Sequence, residues 1–362
     1  VVVRADASQY EGWFYEGAGI YRHVWLNRFN NLSLYPEGCL ITTRVNEGKA
    51  IVNMEATIAN KNFENSKCTV YSYLTDREGH KLAQSKEEAL EILPGAYWGF
   101  HANLTISSPR LWSLDDPYLY RAVFVVKQNG KIVDTLKQRI GIRTIRIDVT
   151  GVYLNDTRVK LKGVCCHQDH AGLGSALPDY IQYYRIRLLK NMGTNAYRTS
   201  HNPPTPELLD ACDSLGMLVL DENRLLNSSP EYLGQFERLI RRDRNHPSVF
   251  MWSIANEEGW VQGNSTGKRI AQTLIEKLKT LDPTRTCTYA ADNGNYYRGV
   301  NEVIPIRGFN YRHLQVGDYH REHPMQPLMG TEMGSTVTTR GVYEKDTVHC
   351  YVPDQDITFP WW

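Results

Sequence analysis

The 362 residues contain no Cys-x-x-Cys pair, no long apolar run and no excess charge of either sign. Seven cysteines occur, at positions 39, 68, 165, 166, 212, 287 and 350, and only Cys165 and Cys166 are close in sequence. That spacing excludes zinc-ribbon and thioredoxin-type readings. It predicts free thiols, which suit a reducing compartment without excluding a weakly oxidising one. The longest apolar stretches, such as residues 249–255 with one Ser, fall far short of the roughly 20 residues that cross a bilayer. Lys plus Arg is 41 against 40 Asp plus Glu, so there is no electrostatic footprint for nucleic acid or an anionic membrane. The opening residues, Val-Val-Val-Arg-Ala-Asp, lack the charged and apolar segments of a signal peptide. A periplasmic, secreted or cytoplasmic location stays open.

Aromatic residues are plentiful, with 22 Tyr and 8 Trp. Such side chains can stack on a sugar ring while offering a polar edge, but they are also ordinary core. The organisation is more telling. Residues 13–26 run from a glycine-rich turn into an alternating strand, and thirty residues cannot form a core. Residues 1–32 therefore read as the last hairpin of a domain whose beginning is missing. From 33 to 147, short stretches of period two (50–58, 69–74, 99–106, 119–126 and 131–136) predict an immunoglobulin-like β-sandwich. Residues 109–117, between two prolines, form the corner before a core strand.

From 148 to 362 strands alternate with helices, as in a (β/α)8 TIM barrel. Strands are expected at 160–164, 195–198, 217–220, 249–254, 286–290, 308–311 and 328–332. Helices are expected over 206–215, closed by Gly216, over 232–242, and through Ile270, Leu274, Leu278 and Leu281 up to Asp282-Pro283. Seven strands are one short of closure, so the barrel reads as lacking its last strand and the chain as truncated at both ends. Expressed alone, such a chain is expected to be poorly soluble and inactive, because an unclosed barrel leaves two unpaired edges.

The polar residues of this half fall at strand ends. His167 and Asp169 follow the first strand, and Arg198, His201 and Asn202 the second. Asp221 and Glu222 follow the third, Asn256 and Glu257 the fourth, Tyr311 the sixth and Glu332 the seventh. Asn256 and Glu257 could be an ordinary helix N-cap. A whole set on one rim is harder to assign to capping, because the C-terminal rim is where such barrels place their chemistry. Strands four and seven would set Glu257 and Glu332 facing one another, the pair that glycoside hydrolysis requires.

Several motifs resemble glycoside hydrolase family 2, the β-galactosidases, β-glucuronidases and β-mannosidases. They are residues 17–25 (Gly-Ala-Gly-Ile-Tyr-Arg-His-Val-Trp), 162–167 (Lys-Gly-Val-Cys-Cys-His), 198–203 (Arg-Thr-Ser-His-Asn-Pro), 252–257 (Trp-Ser-Ile-Ala-Asn-Glu) and 330–332 (Gly-Thr-Glu). The resemblance implies that residues 1–32 are the C-terminal remnant of a β jelly-roll sugar-binding domain. It also implies a retaining exo-β-glycosidase, most readily a β-galactosidase, with Glu257 as acid/base and Glu332 as nucleophile. Asn256 would hold the sugar 2-hydroxyl and Arg198 would orient Glu332. His167, Asp169, His201, Asn202 and Tyr311 would bind substrate. Glu258 directly follows Glu257, and the motif places the acid immediately after Asn. Some β-galactosidases hold magnesium downstream of the third strand. Leu226 stands near that ligand position, so neither metal nor cofactor is expected. Ser335 stands where those enzymes often carry histidine, which weakens a galactose assignment. The expected partner is a glycoside or oligosaccharide, with no nucleic acid or membrane; homo-oligomerisation stays open, and so does a silent carbohydrate-binding relative.

Overall fold

A computed structural model describes residues 1–6, 19–334, 344, 346, 348 and 349. Expectations on residues 13–18, Ser335, Cys350 and residues 357–362 lie outside the described residues.

The sandwich comprises β1 (Leu32–Leu34), β2 (Leu40–Asn46), β3 (Lys49–Asn60), β4 (Ser66–Thr75), β5 (Lys81–Gln84), β6 (Glu88–Ile92), β7 (Tyr97–Ser107), β8 (Tyr120–Gln128) and β9 (Lys131–Ile140). One sheet joins β1, β2, β3 and β7, and the other joins β5, β4, β8 and β9 with β6 on β4. Alternation does the sorting, since every second residue of β3 from Ala50 to Ile58 is buried. Phe100 and Phe124 meet edge to face at 6.3 Å in that core.

A three-stranded sheet follows, formed by β10 (Ile145–Asp148), β11 (Gly151–Leu154) and β12 (Thr157–Val159). Then come β13 (Gly163–Cys165), α1 (Asp179–Asn191), β14 (Ala196–Arg198), α2 (Pro206–Leu215), β15 (Leu218–Glu222), α3 (Pro230–Asp243) and β16 (Val249–Asn256). The chain continues through α4 (Ser265–Leu281), β17 (Cys287–Ala291), β18 (Ile306–Asn310), α5 (Val316–Glu322) and β19 (Leu328–Glu332). β13 to β19 lie in one sheet in sequence order, the topology of a TIM barrel with seven strands among the described residues. β16 is buried along its whole length, as a strand covered on both faces must be. Thr205 caps α2, accepting from Leu208 N, and Pro206 starts it. Gly216 ends it in the left-handed region, where a Cβ would lie 2.3 Å from Leu114 O.

By contact the chain forms two compact units. One contains Val1–Arg146, Tyr153–Leu220 and Glu237–Phe250; the other contains Ile147–Val152, Asp221–Phe236 and Met251–Trp362. Within the first unit the sandwich is fastened beside the strand starts. Trp112, fully buried in the predicted corner, donates its indole N–H to Asp213 O at the end of α2. Arg143 donates to Val249 O, and Asn245 Oδ1 accepts from Ile41 N.

One expectation needs correction. The described part of the predicted alternating strand, residues 20–26, is not a strand, and Val24, Trp25 and Leu26 are exposed. A strand needs a neighbour for its N–H and C=O groups, and among the described residues none pairs with this segment. Its polar side chains bind two loops and a helix start instead: Arg22 donates to Pro203 O and Gln168 Oε1, and His23 bonds Asp179, the first residue of α1, at 2.7 Å.

Candidate active site

The second unit brings four predicted residues together through a fifth that the sequence did not single out. β16 delivers Asn256 as its last residue, after a register shift between Ser253 and Asn256. Glu257 follows with φ 41°, a left-handed conformation that a non-glycine residue adopts at a cost of about 1–3 kcal/mol. Its N–H donates to Ala290 O at 3.0 Å. β18 ends in Asn310, and Tyr311 comes next, also left-handed at φ 53°. β19 ends in Glu332.

Asn310 is fully buried, and its amide nitrogen sits among the acceptors. Nδ2 lies 2.6 Å from Glu257 Oε1, 3.1 Å from Asn256 Oδ1 and 3.3 Å from Glu332 Oε2. Its own carbonyl accepts from the Thr331 hydroxyl at 2.6 Å, which fixes the orientation of the amide. Two carboxylate oxygens reached from one nitrogen can be no farther apart than the two lengths together, about 5.9 Å. One oxygen of each carboxylate is thus held beside the same amide, so the two acids are close neighbours at the strand ends. Tyr311 OH donates to Glu332 Oε1, and its backbone N–H to Glu332 O.

The neighbouring carboxylate is disposed differently. Glu258 gives its backbone N–H to Tyr289 OH at 2.8 Å. Burial raises its carboxyl above the usual range, against the opposing charge of Arg224. The hydrogen bond to Asn310 is made by Glu257, so the geometry distinguishes the two glutamates. At the end of β15, the fully buried Glu222 accepts from Ser253 Oγ at 2.8 Å, and the next residue, Asn223, donates from Nδ2 to Leu225 O and Ile254 O.

The first unit holds the remaining predicted residues at the ends of β13 and β14. Arg198, 3% exposed, reaches Cys165 Sγ at 3.6 Å and His201 Nδ1 at 3.4 Å. The rings of His167 and His201 meet edge to face at 5.2 Å. Arg185 on α1 was not singled out from sequence; it binds the carbonyls of His167 and Asp169 and so shapes their loop. Asn202 lines a cavity of about 540 Å³ shared with Tyr21, Arg22, His23 and Ser200.

Residues 37–143 match Glycosyl hydrolases family 2, and residues 145–229 and 226–351 match the TIM barrel domain of that family. The chain belongs to glycosyl hydrolase family 2. A β-galactosidase of Bacteroides ovatus, BoGH2A, is 34% identical over 97% of the chain and 47% of its own length. A crystal structure of a family 2 member from Bacteroides cellulosilyticus superposes with a TM-score of 0.85 at 33% identity, covering 91% of this chain and 46% of that one. A β-glucuronidase of Bacteroides uniformis gives 0.80 at 26% identity, covering 92% and 45%. The chain thus spans about half the length of these relatives. No helix among the described residues is long and apolar enough to cross a membrane.

Asn310 left a faint trace in the sequence. It lies inside the expected strand 308–311, one residue before its end, and shares the parity of Gly308 rather than that of Arg307 and Phe309. A polar residue of that parity at a strand end points to the site.

Proposed function

We propose that the protein containing this chain is a retaining exo-β-glycosidase that removes terminal β-D-galactosyl units. Glu332 attacks the anomeric carbon while Glu257 gives its proton to the departing glycosidic oxygen, leaving a glycosyl ester on Glu332. Glu257, now ionised, takes a proton from water, whose oxygen displaces Glu332 from the sugar with the β configuration retained. Asn256 holds the 2-hydroxyl, and Arg198 orients Glu332. His167, Asp169, His201, Asn202 and Tyr311 bind the sugar. No metal or cofactor is assigned a part.

The observation that carries this reading is the single Asn310 amide within hydrogen-bond reach of both carboxylates. The galactoside preference draws on the Bacteroides ovatus relative. A β-glucuronoside specificity is the second reading, on the strength of the Bacteroides uniformis relative.

The test is turnover of aryl β-galactoside, β-glucuronide and β-mannoside by the full-length protein, with the product anomer followed by NMR. Galactoside turnover with a β product first formed is expected. Turnover of the glucuronide alone would move the specificity, inversion would overturn the mechanism, and no turnover would favour a carbohydrate-binding relative.

A further inference from the structure

We infer that Tyr289 is a positioning residue for Glu257, acting through the peptide that follows it; this rests on the acid/base role proposed above. Glu257 can stay left-handed only if the turn around it is held from several sides. Its own N–H is bonded to Ala290 O, and its carbonyl accepts from Gly259 N at 2.9 Å. The third hold is a side chain: the N–H of Glu258 donates to Tyr289 OH at 2.8 Å.

Tyr289 is fully buried, and burial keeps its phenol protonated by raising its pKa well above 10. Having accepted from Glu258, the hydroxyl donates onward to Gln262 Oε1 at 3.3 Å. Gln262 Nε2 then donates to Asp292 Oδ1 at 2.6 Å. Every donor in this chain points the same way, from the Glu258 peptide to a carboxylate, so each bond polarises the next. The Gln262 side chain has little freedom, because its backbone is fixed on both sides. Its N–H donates to Glu258 O at 2.8 Å, and its carbonyl accepts from Val300 N at 2.8 Å. Gly299 permits that approach, since a Cβ there would lie 2.1 Å from Gln262 O. Phenylalanine at 289 would fill the same space but leave the Glu258 N–H and the Gln262 carbonyl without the hydroxyl between them. The turn could then leave its left-handed conformation and carry the Glu257 carboxyl away from the leaving group.

Leaving-group dependence tests the idea, because an acid displaced by about 1 Å matters only where protonation is needed. In full-length protein, Tyr289→Phe should lower kcat/KM, which reports the glycosylation step, by roughly 10- to 100-fold on alkyl β-glycosides and by less than about 3-fold on dinitrophenyl β-glycosides. Combined with Glu257→Ala, Tyr289→Phe should cost nothing further on the activated substrate. Should Tyr289→Phe fail to fold, Gln262→Leu breaks the same chain one step on and should show the same selectivity more weakly. An equal loss on both substrate classes, or an undiminished loss in the Glu257→Ala background, overturns the role of Tyr289. Wild-type enzyme and Glu257→Ala run beside these variants separate the two ideas. If Glu257→Ala lacks leaving-group selectivity, the acid/base reading itself has failed.

Discussion

Asn310→Asp changes the site by one atom and leaves its volume alone. An oxygen replaces Nδ2, 2.6 Å from Glu257 Oε1 and 3.3 Å from Glu332 Oε2. The donor that served both carboxylates becomes a third acidic group between them. Like charges about 4 Å apart cost about 4 kcal/mol at an effective dielectric near 20, and these are closer. The new side chain therefore keeps its proton above the ordinary aspartate value near 3.9. Protonated, it can donate to one carboxylate; ionised, it repels both. Loss of one charge-assisted hydrogen bond, about 1.5–3 kcal/mol, corresponds to about 10- to 100-fold in rate. Ionisation adds to that loss. Activity requires the protonated form, so it should fall as pH rises through the raised pKa of the introduced carboxyl and be partly recovered on acidification. The assay is kcat/KM on an aryl β-galactoside from pH 4 to pH 8 for full-length wild type and variant, with thermal unfolding to verify the fold. A folded Asn310→Asp enzyme matching wild type at pH 7 would refute the bridging role of this amide.

Glu257→Ala should slow substrates with poor leaving groups far more than activated aryl glycosides, and azide should restore turnover to a β-glycosyl azide; equal loss on both classes counts against Glu257 as the acid. Glu258→Ala should cost less than about 5-fold in kcat/KM, because its carboxyl faces Arg224 and not Asn310; a loss like that of Glu257→Ala would reassign the acid. His246 concerns stability rather than chemistry. Burial pushes its pKa down, but the Asp213 carboxylate at 2.6 Å outweighs this and the net shift is upward. A pKa raised on folding contributes stability that is complete below the unfolded value near 6.5 and is lost as pH rises through the folded one. His246→Gln should therefore cost more Tm at pH 5.5 than at pH 8.5, and an equal or inverse difference would contradict the pairing.

The sequence by itself determined the elements and the rim. Period two gave the sandwich strands and a near-continuous apolar run gave β16, because those patterns follow from which faces are covered. The Pro206 start and the Gly216 stop bounded α2, since helix-end signals are local chemistry. Glu257 and Glu332 were legible because both fall at strand ends, Glu257 just after the apolar run of β16 and Glu332 as the last residue of β19. What pairs with what was not legible. Residues 20–26 alternate like a strand, but alternation alone supplies no neighbouring edge, and the segment is held by side-chain bonds such as Arg22 to Pro203 O. The separation of Glu257 from Glu332 and the difference between Glu257 and Glu258 depend on a left-handed turn and a register shift, which no residue type encodes. Asn310 and Tyr289 acquire their roles only when β17 and β18 lie beside β16 and β19, so that a side chain from one strand end can satisfy groups more than twenty residues away.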